Sequence, residues 1–189
     1  MKRLVYITIL WLGQVTWISA QDFKQAYNDV QVEFEQRLPN ARNSLKDYLN
    51  KYPYTPYEDE ILTMQGVLYT EKEKYKNAIK TFSKVRVKNL SRTTEPMYYF
   101  HLGYAHLQQR DYDKALVAMS RIKNKQSAFS LHAVYYTGYC YYARKEYQRA
   151  LAEFLAIESI GGYKQIAPYY IVQIYYAQKD YDKVYQRAE

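Results

Sequence analysis

The chain has 189 residues, of which 48% are hydrophobic and 24% charged, a length that fits one domain and a composition too apolar for intrinsic disorder. Against 25 tyrosines there are only 6 glycines and 5 prolines, so turns are few and elements long, which disfavours a many-stranded β fold. The net charge of +8 is carried by Lys and Arg mixed with Asp and Glu along helix faces, the pattern of a solvated surface and not of a nucleic-acid-binding stripe. An acidic partner, such as a lipid phosphate or an acidic protein, has less to support it.

Lys2 and Arg3 precede the apolar run Leu4 to Gly13, and Ile18-Ser19-Ala20 offers a small-residue cleavage pattern before Gln21. These are the features of a secretory signal peptide over residues 1–20. The unbroken apolar run is too short to span a bilayer, because Gln14 and Thr16 interrupt it, and no transmembrane span is expected after cleavage. Export is therefore the expectation. With no cysteine near the cleavage point, lipid attachment there is disfavoured.

Residues 21–55 read as two helices broken near Pro39, an N-terminal cap or degenerate repeat. From 56 to 189 the chain repeats itself. Tyr75, Tyr112, Tyr147 and Tyr181 stand in the phrases E-K-Y-K-N-A, R-D-Y-D-K-A, K-E-Y-Q-R-A and K-D-Y-D-K-V, spaced by 37, 35 and 34 residues. A period in this range is the signature of a repeat array. Each phrase divides two helical patterns: Glu58 to Glu71 before Tyr75, Pro96 to Gln109 before Tyr112, Ala128 to Ala143 before Tyr147, and a fourth unit opening near Lys164. Gly66, Gly103 and Gly138 lie nine residues before the tyrosine, and Ala78, Ala115 and Ala150 three after it. Glycine inside an exposed helix costs about 1 kcal/mol against alanine, so three at one phase predict close helix contact. The basic cluster Lys84 to Lys88 falls at a predicted helix end, where it would offset the helix dipole.

Gly66-Tyr69-Tyr75-Ala78-Phe82, Gly138-Tyr141-Tyr147-Ala150-Phe154, and Leu102-Gly103 with Tyr112 and Ala115 resemble the tetratricopeptide repeat. The resemblance covers about residues 56–189 and implies an all-α, right-handed solenoid of helix–turn–helix units, about four in number, the last truncated. His106 stands where the first-helix tyrosine is usual, Met119 where phenylalanine is, and Val172 and Val184 where small residues are. The repeat-ending proline is absent from all four units. Asn50 to Tyr57 is similar to the inter-repeat turn of exported envelope proteins of this family in Gram-negative bacteria.

Catalytic patterns are absent: no H-E-x-x-H, no G-x-S-x-G and no phosphate-cradling glycine loop occurs. His101 and His106 are five residues apart and diverge around a helix, a poor metal pair. Cys140, the single cysteine, reads as buried filler. Neither an enzyme nor a cofactor is expected. In the implied solenoid the first helices line a concave groove, which places Phe100, Tyr104, His132, Tyr135, Tyr139, Tyr142, Tyr169, Gln173 and Tyr176 on it as candidate partner-binding residues. Tyrosine suits a recognition surface, being large, stiff and amphipathic; the competing reading is that these rings only pack. Tyr69, Tyr141 and Tyr175 share the phase facing a neighbouring helix, and the phrase tyrosines read as turn-side packing.

The resemblance implies an exported scaffold for protein or peptide partners, in the periplasm or on the periplasmic face of the outer membrane, serving envelope assembly or maintenance. Two alternatives remain. One is a glycan- or nutrient-uptake accessory whose tyrosines stack on sugars, against which both tryptophans fall in the signal. The other is the docking arm of a larger regulatory or enzymatic protein. Glu189 falls inside its helix before the apolar stripe is complete, so the natural chain is expected to continue. The oligomeric state is left open by the sequence.

Overall fold

The computed structural model describes residues 20–187, so the signal-peptide reading, Ala20 excepted, concerns residues outside those described. Ten α-helices follow one another with no strand among the described residues. They are α1 (Ala20–Glu35), α2 (Ala41–Lys51), α3 (Glu58–Glu71), α4 (Tyr75–Phe82), α5 (Thr94–Gln108), α6 (Tyr112–Ser120), α7 (Ser130–Ala143), α8 (Tyr147–Leu155), α9 (Ala167–Ala177) and α10 (Tyr181–Gln186). Each odd helix packs on the even helix that follows it, and α3, α5 and α7 pack side by side as one layer. The even helices form the other layer, α4 against α5, α6 against α7 and α8 against α9. This is the expected right-handed α-solenoid, and the first hairpin, α1–α2, stacks on α3.

Every tyrosine phrase marks the turn inside a hairpin, its tyrosine being the first residue of α4, α6, α8 or α10. Two residues earlier the backbone turns left-handed, at Glu73 (φ 56°), Arg110 (59°), Lys145 (62°) and Lys179 (62°). The next amide then closes the helix end by bonding back five residues: Lys74 to the Tyr69 carbonyl, Asp111 to His106, Glu146 to Tyr141 and Asp180 to Tyr175, at 2.8–2.9 Å. The second bond of the same motif runs from each left-handed residue to the carbonyl three back. A four-fold repeat of one capping geometry thus explains the phrase.

The conserved phase of glycine has the packing cause the spacing predicts. A Cβ on Gly66 would stand 2.4 Å from the Phe82 ring, one on Gly103 2.9 Å from the Met119 methyl, and one on Gly138 3.1 Å from the Phe154 ring. Phe82, Met119 and Phe154 are all fully buried; each uses the glycine as the floor of its slot. Ala78, Ala115 and Ala150 are buried completely beside them, whereas Val172 and Val184 are only half-buried.

Arg86 does not serve the α4 dipole as its place in the sequence predicts. Its backbone N–H and Nε donate to the Asp59 carboxylate at 2.7 and 3.1 Å, and Nη2 reaches Glu58 at 2.7 Å. Asn89 donates to the same carboxylate at 2.7 Å, and the Ser91 amide to Glu60 at 2.8 Å. The first turn of α3 therefore holds the linker between α4 and α5. Helix starts shift slightly for local reasons: α5 opens at Thr94, whose N–H bonds the Ser91 hydroxyl, and α9 opens at Ala167 after a 3-10 turn over Gly161–Lys164.

Candidate functional site

The inner layer carries a pocket of about 540 Å³ between α5 and α7, lined by Tyr104, Leu107, Gln108, Arg110, Tyr112, Tyr135, Tyr136 and Tyr139. Three of the sequence-predicted groove residues, Tyr104, Tyr135 and Tyr139, meet there. The rings hold one another in place. Tyr104 meets Tyr136 edge-on at 5.2 Å and Tyr75 at 6.2 Å, and Tyr135 meets Tyr136 at 5.0 Å. Edge-to-face pairs of this kind are worth about 0.5–1.5 kcal/mol beyond burial, and they fix the orientation of each ring.

Tyr136 and Tyr170 explain why. Each lies on the face of its first helix turned to the preceding unit. Tyr136 sits against Phe100 and Tyr104. Tyr170 touches Tyr135, Tyr139 and Tyr142 at 6.0, 6.0 and 5.4 Å and stacks on Phe154 at 4.8 Å and 7°. A groove tyrosine thus packs along one edge on the next repeat and presents the other to the pocket. Burial pushes the Tyr135 hydroxyl well above the ordinary phenol value, reinforced by its hydrogen bond with Tyr170. Burial likewise pushes Tyr136 up to about 12. Tyr135 and Tyr136, and Tyr139 with them, are therefore neutral at any physiological pH.

Of the remaining predicted residues, Phe100, His132 and Tyr142 adjoin the pocket through ring contacts without lining it. Phe100 is half-buried, stacked on Phe129 at 5.0 Å and 25°. His132 is exposed, its Nδ1 2.7 Å from the Tyr163 hydroxyl. Tyr142 is half-buried against Tyr147 and Tyr170, and Gln173 is half-buried. Tyr169 and Tyr176 are 59% and 62% exposed and stand apart from the pocket lining. Among the residues facing a neighbouring helix, Tyr175 is buried, and Tyr69, Tyr141 and Tyr175 each lie under a cation, Arg42, Arg149 and Lys183.

Five pocket residues escape the sequence reading, the buried Leu107 among them. Tyr112 belongs to a phrase read as turn-side packing and instead forms a wall. Arg110 is exposed, makes no ion pair among the described residues, and lies close enough to Tyr139 to lower its pKa against the larger effect of burial. Gln108 ends α5, and Tyr136 follows Tyr135. Arg110 could have been suspected from its phrase, because a left-handed cap at the end of α5 aims its side chain past the helix end, where a groove residue's neighbour must lie.

His106, the substitute for the usual tyrosine, is buried, with Nδ1 3.4 Å from the Asp111 carboxylate. Asp111 in turn accepts the Lys114 amide as the cap of α6. Cys140 is fully buried, and burial pushes its thiol up to about 12, so it is packing rather than a nucleophile. No group of three or more His, Cys, Asp and Glu that could hold a metal occurs among the described residues. No described helix is long and apolar enough to cross a membrane.

His101 gives the fold a pH dependence. Its Nδ1 is buried without a hydrogen-bond partner, and burial, with Arg37 nearby, depresses the ring's pKa to about 4. The unfolded chain takes up a proton near pH 6.5, before the folded chain does. Stability is therefore undiminished above pH 6.5 and falls as the pH drops toward 4, by on the order of 2 kcal/mol. Urea midpoints between pH 7.5 and 4 check this: His101→Phe should flatten the slope, and an equal slope in the variant would remove His101 as its source.

A helical solenoid whose first helices line a pocket is the architecture of a binding array. Residues 63–130 match the family model described as tetratricopeptide repeat. No curated protein matches it in sequence. Among solved structures it is similar to the MamA RS-1 ArsTM double mutant, at 17% identity and a TM-score of 0.69 over 87% of this chain and 89% of that one. MamA residues 41 to the end from Desulfovibrio magneticus RS-1 gives 17%, 0.67, 87% and 90%. A tetratricopeptide repeat protein from Parabacteroides merdae gives 18%, 0.67 and 89% of this chain, which spans 64% of that one. At these identities the likeness is one of fold.

Proposed function

We propose that this chain is an exported scaffold that binds a peptide or protein segment in the tyrosine-lined pocket between α5 and α7. The observation that carries the reading is the convergence of five tyrosines with Arg110, which makes no ion pair among the described residues, on one opening in the inner layer. Tyr and Arg dominate binding hot spots because they combine large contact area with directional hydrogen bonding. Neutral phenol donors and one free guanidinium suit a segment offering backbone carbonyls and a carboxylate. The amino-terminal sequence supports an exported location, in the periplasm or at the periplasmic face of the outer membrane, and a role in envelope assembly or maintenance. The comparisons support a fold of the kind that serves as a binding scaffold.

Tyr139 and Arg110 are the residues to change, since Tyr135 also packs on Phe154 and Tyr170 and its loss would disturb the fold. A photo-crosslinking amino acid at position 139, in cells that make the protein, should capture a partner. Arg110→Ala should weaken that capture about tenfold or more with helicity unchanged. Equal capture by the folded variant would sink the proposal.

A further inference from the structure

A second cleft lies away from the tyrosine pocket, between α2 and α3. Its volume is about 290 Å³, and its lining includes Arg42, Asn43, Lys46, Gln65, Tyr69 and Lys72 above the buried Leu68. Arg42 and Lys46 are one turn apart on α2, and Gln65, Tyr69 and Lys72 follow one another along one stripe of α3. Neither lining helix contributes a carboxylate to the cleft.

The three cations differ from the arginines that are held in ion pairs. Arg37, Arg86, Arg144, Arg149 and Arg187 each reach a carboxylate. Arg42, Lys46 and Lys72 make no ion pair among the described residues. The sequence supplies the reason: no Asp or Glu stands three or four residues from any of them, so no helical pair can form. Arg42 and Lys72 also line the adjoining hollow, whose carboxylate, Glu71, is held by Arg37 at 2.8 Å. Arg42 is also fixed. Its Nη2 donates to the Tyr69 hydroxyl at 3.2 Å, and its guanidinium carbon lies 5.0 Å from that ring's centre. A guanidinium oriented by an aromatic ring keeps its remaining N–H groups directed outward and loses less entropy when it binds.

The geometry points to a binding site for a phosphoryl oxyanion, with Arg42, Lys46 and Lys72 supplying charge and Asn43 and Gln65 supplying neutral donors. Every polar side chain in this set can donate a hydrogen bond. A phosphate monoester carries close to two negative charges and offers three acceptor oxygens, which three convergent cations match. The cleft is large enough to admit the phosphate together with the group it is attached to. Free phosphate and the headgroup of an anionic lipid present the same chemistry here, and the measurement separates them.

Titration calorimetry of the full chain at low ionic strength uses inorganic phosphate in one arm. The other arm uses flotation with vesicles of phosphatidylglycerol and phosphatidylcholine, against phosphatidylcholine alone. Arg42→Gln with Lys46→Gln and Lys72→Gln removes the site, and Lys80→Gln with Lys84→Gln and Lys88→Gln removes equal charge from exposed positions elsewhere. The expected result is phosphate binding that weakens about tenfold or more in the first triple variant and survives in the second. Vesicle binding that follows the same order and is displaced by phosphate assigns the site to a lipid headgroup. Phosphate binding without vesicle binding assigns it to a soluble phosphate. The site is overturned if neither probe binds, or if the two triple variants lose binding equally. The six positions are exposed in the wild type, so both variants are expected to keep the helical circular-dichroism spectrum, which serves as the folding control.

Discussion

Phe154→Ala is expected to cost about 3–5 kcal/mol of stability, the range for deleting a fully buried aromatic ring. Phe154 is completely enclosed. It occupies the slot over Gly138, stacks flat on Tyr170 and meets Tyr135 at 6.0 Å. Alanine leaves a cavity that the flanking helices cannot close, because Tyr170 is also tied to Tyr139 and Tyr142. In a solenoid each unit contacts only its neighbours, so the loss should be local. Hydrogen exchange should quicken in α7, α8 and α9 and change little in α1 to α4. Partner capture should fall as well, since Tyr135 loses its support. A loss below about 1 kcal/mol by urea denaturation, small for a buried ring, would show that the slot relaxes freely.

Asp59→Ala is expected to cost about 3 kcal/mol. The carboxylate is 1% exposed. Its loss removes the acceptor of the Arg86 N–H and the Asn89 amide, hydrogen bonds to a charged group worth about 1.5–3 kcal/mol each. Burial by itself would raise the Asp59 pKa, but the bonds from Arg86 and Asn89 outweigh it and hold the value below the usual carboxylate range. A depressed carboxylate pKa gives stability that is present above about pH 4 and lost as the pH falls through the lower folded value. Wild type and variant should therefore differ fully at pH 7, and by less as the pH falls below about 4. A gap that persists undiminished in acid would mean that the linker is held by something other than this carboxylate. Asp59→Asn should fall between the two, because it keeps one acceptor.

Much of the site's framework is visible in the chain itself. The position of Tyr139 follows from counting along α7 from Gly138, and so does the choice of Tyr104 from Gly103. Arg110 and Tyr112 could not be read this way. They come from the turn after α5, and their reach toward α7 depends on how far one hairpin is rotated onto the next. Tyr170 shows the same limit. Nothing local distinguishes it from Tyr169, yet one ring is a hub of the core and the other is 59% exposed. The Arg42–Lys46–Lys72 cleft is likewise split between two helices whose pairing no local pattern records.

What the sequence determined by itself is the unit: two helices, a left-handed cap before each tyrosine, and a glycine opposite a large buried side chain. These are short-range effects, set by backbone stereochemistry and by side-chain volume within one hairpin. Only the tertiary structure decided which tyrosines pack and which face the pocket, and which cations stay unpaired. Those outcomes depend on the angle and depth at which successive hairpins stack, and that is set by summed packing across unit boundaries.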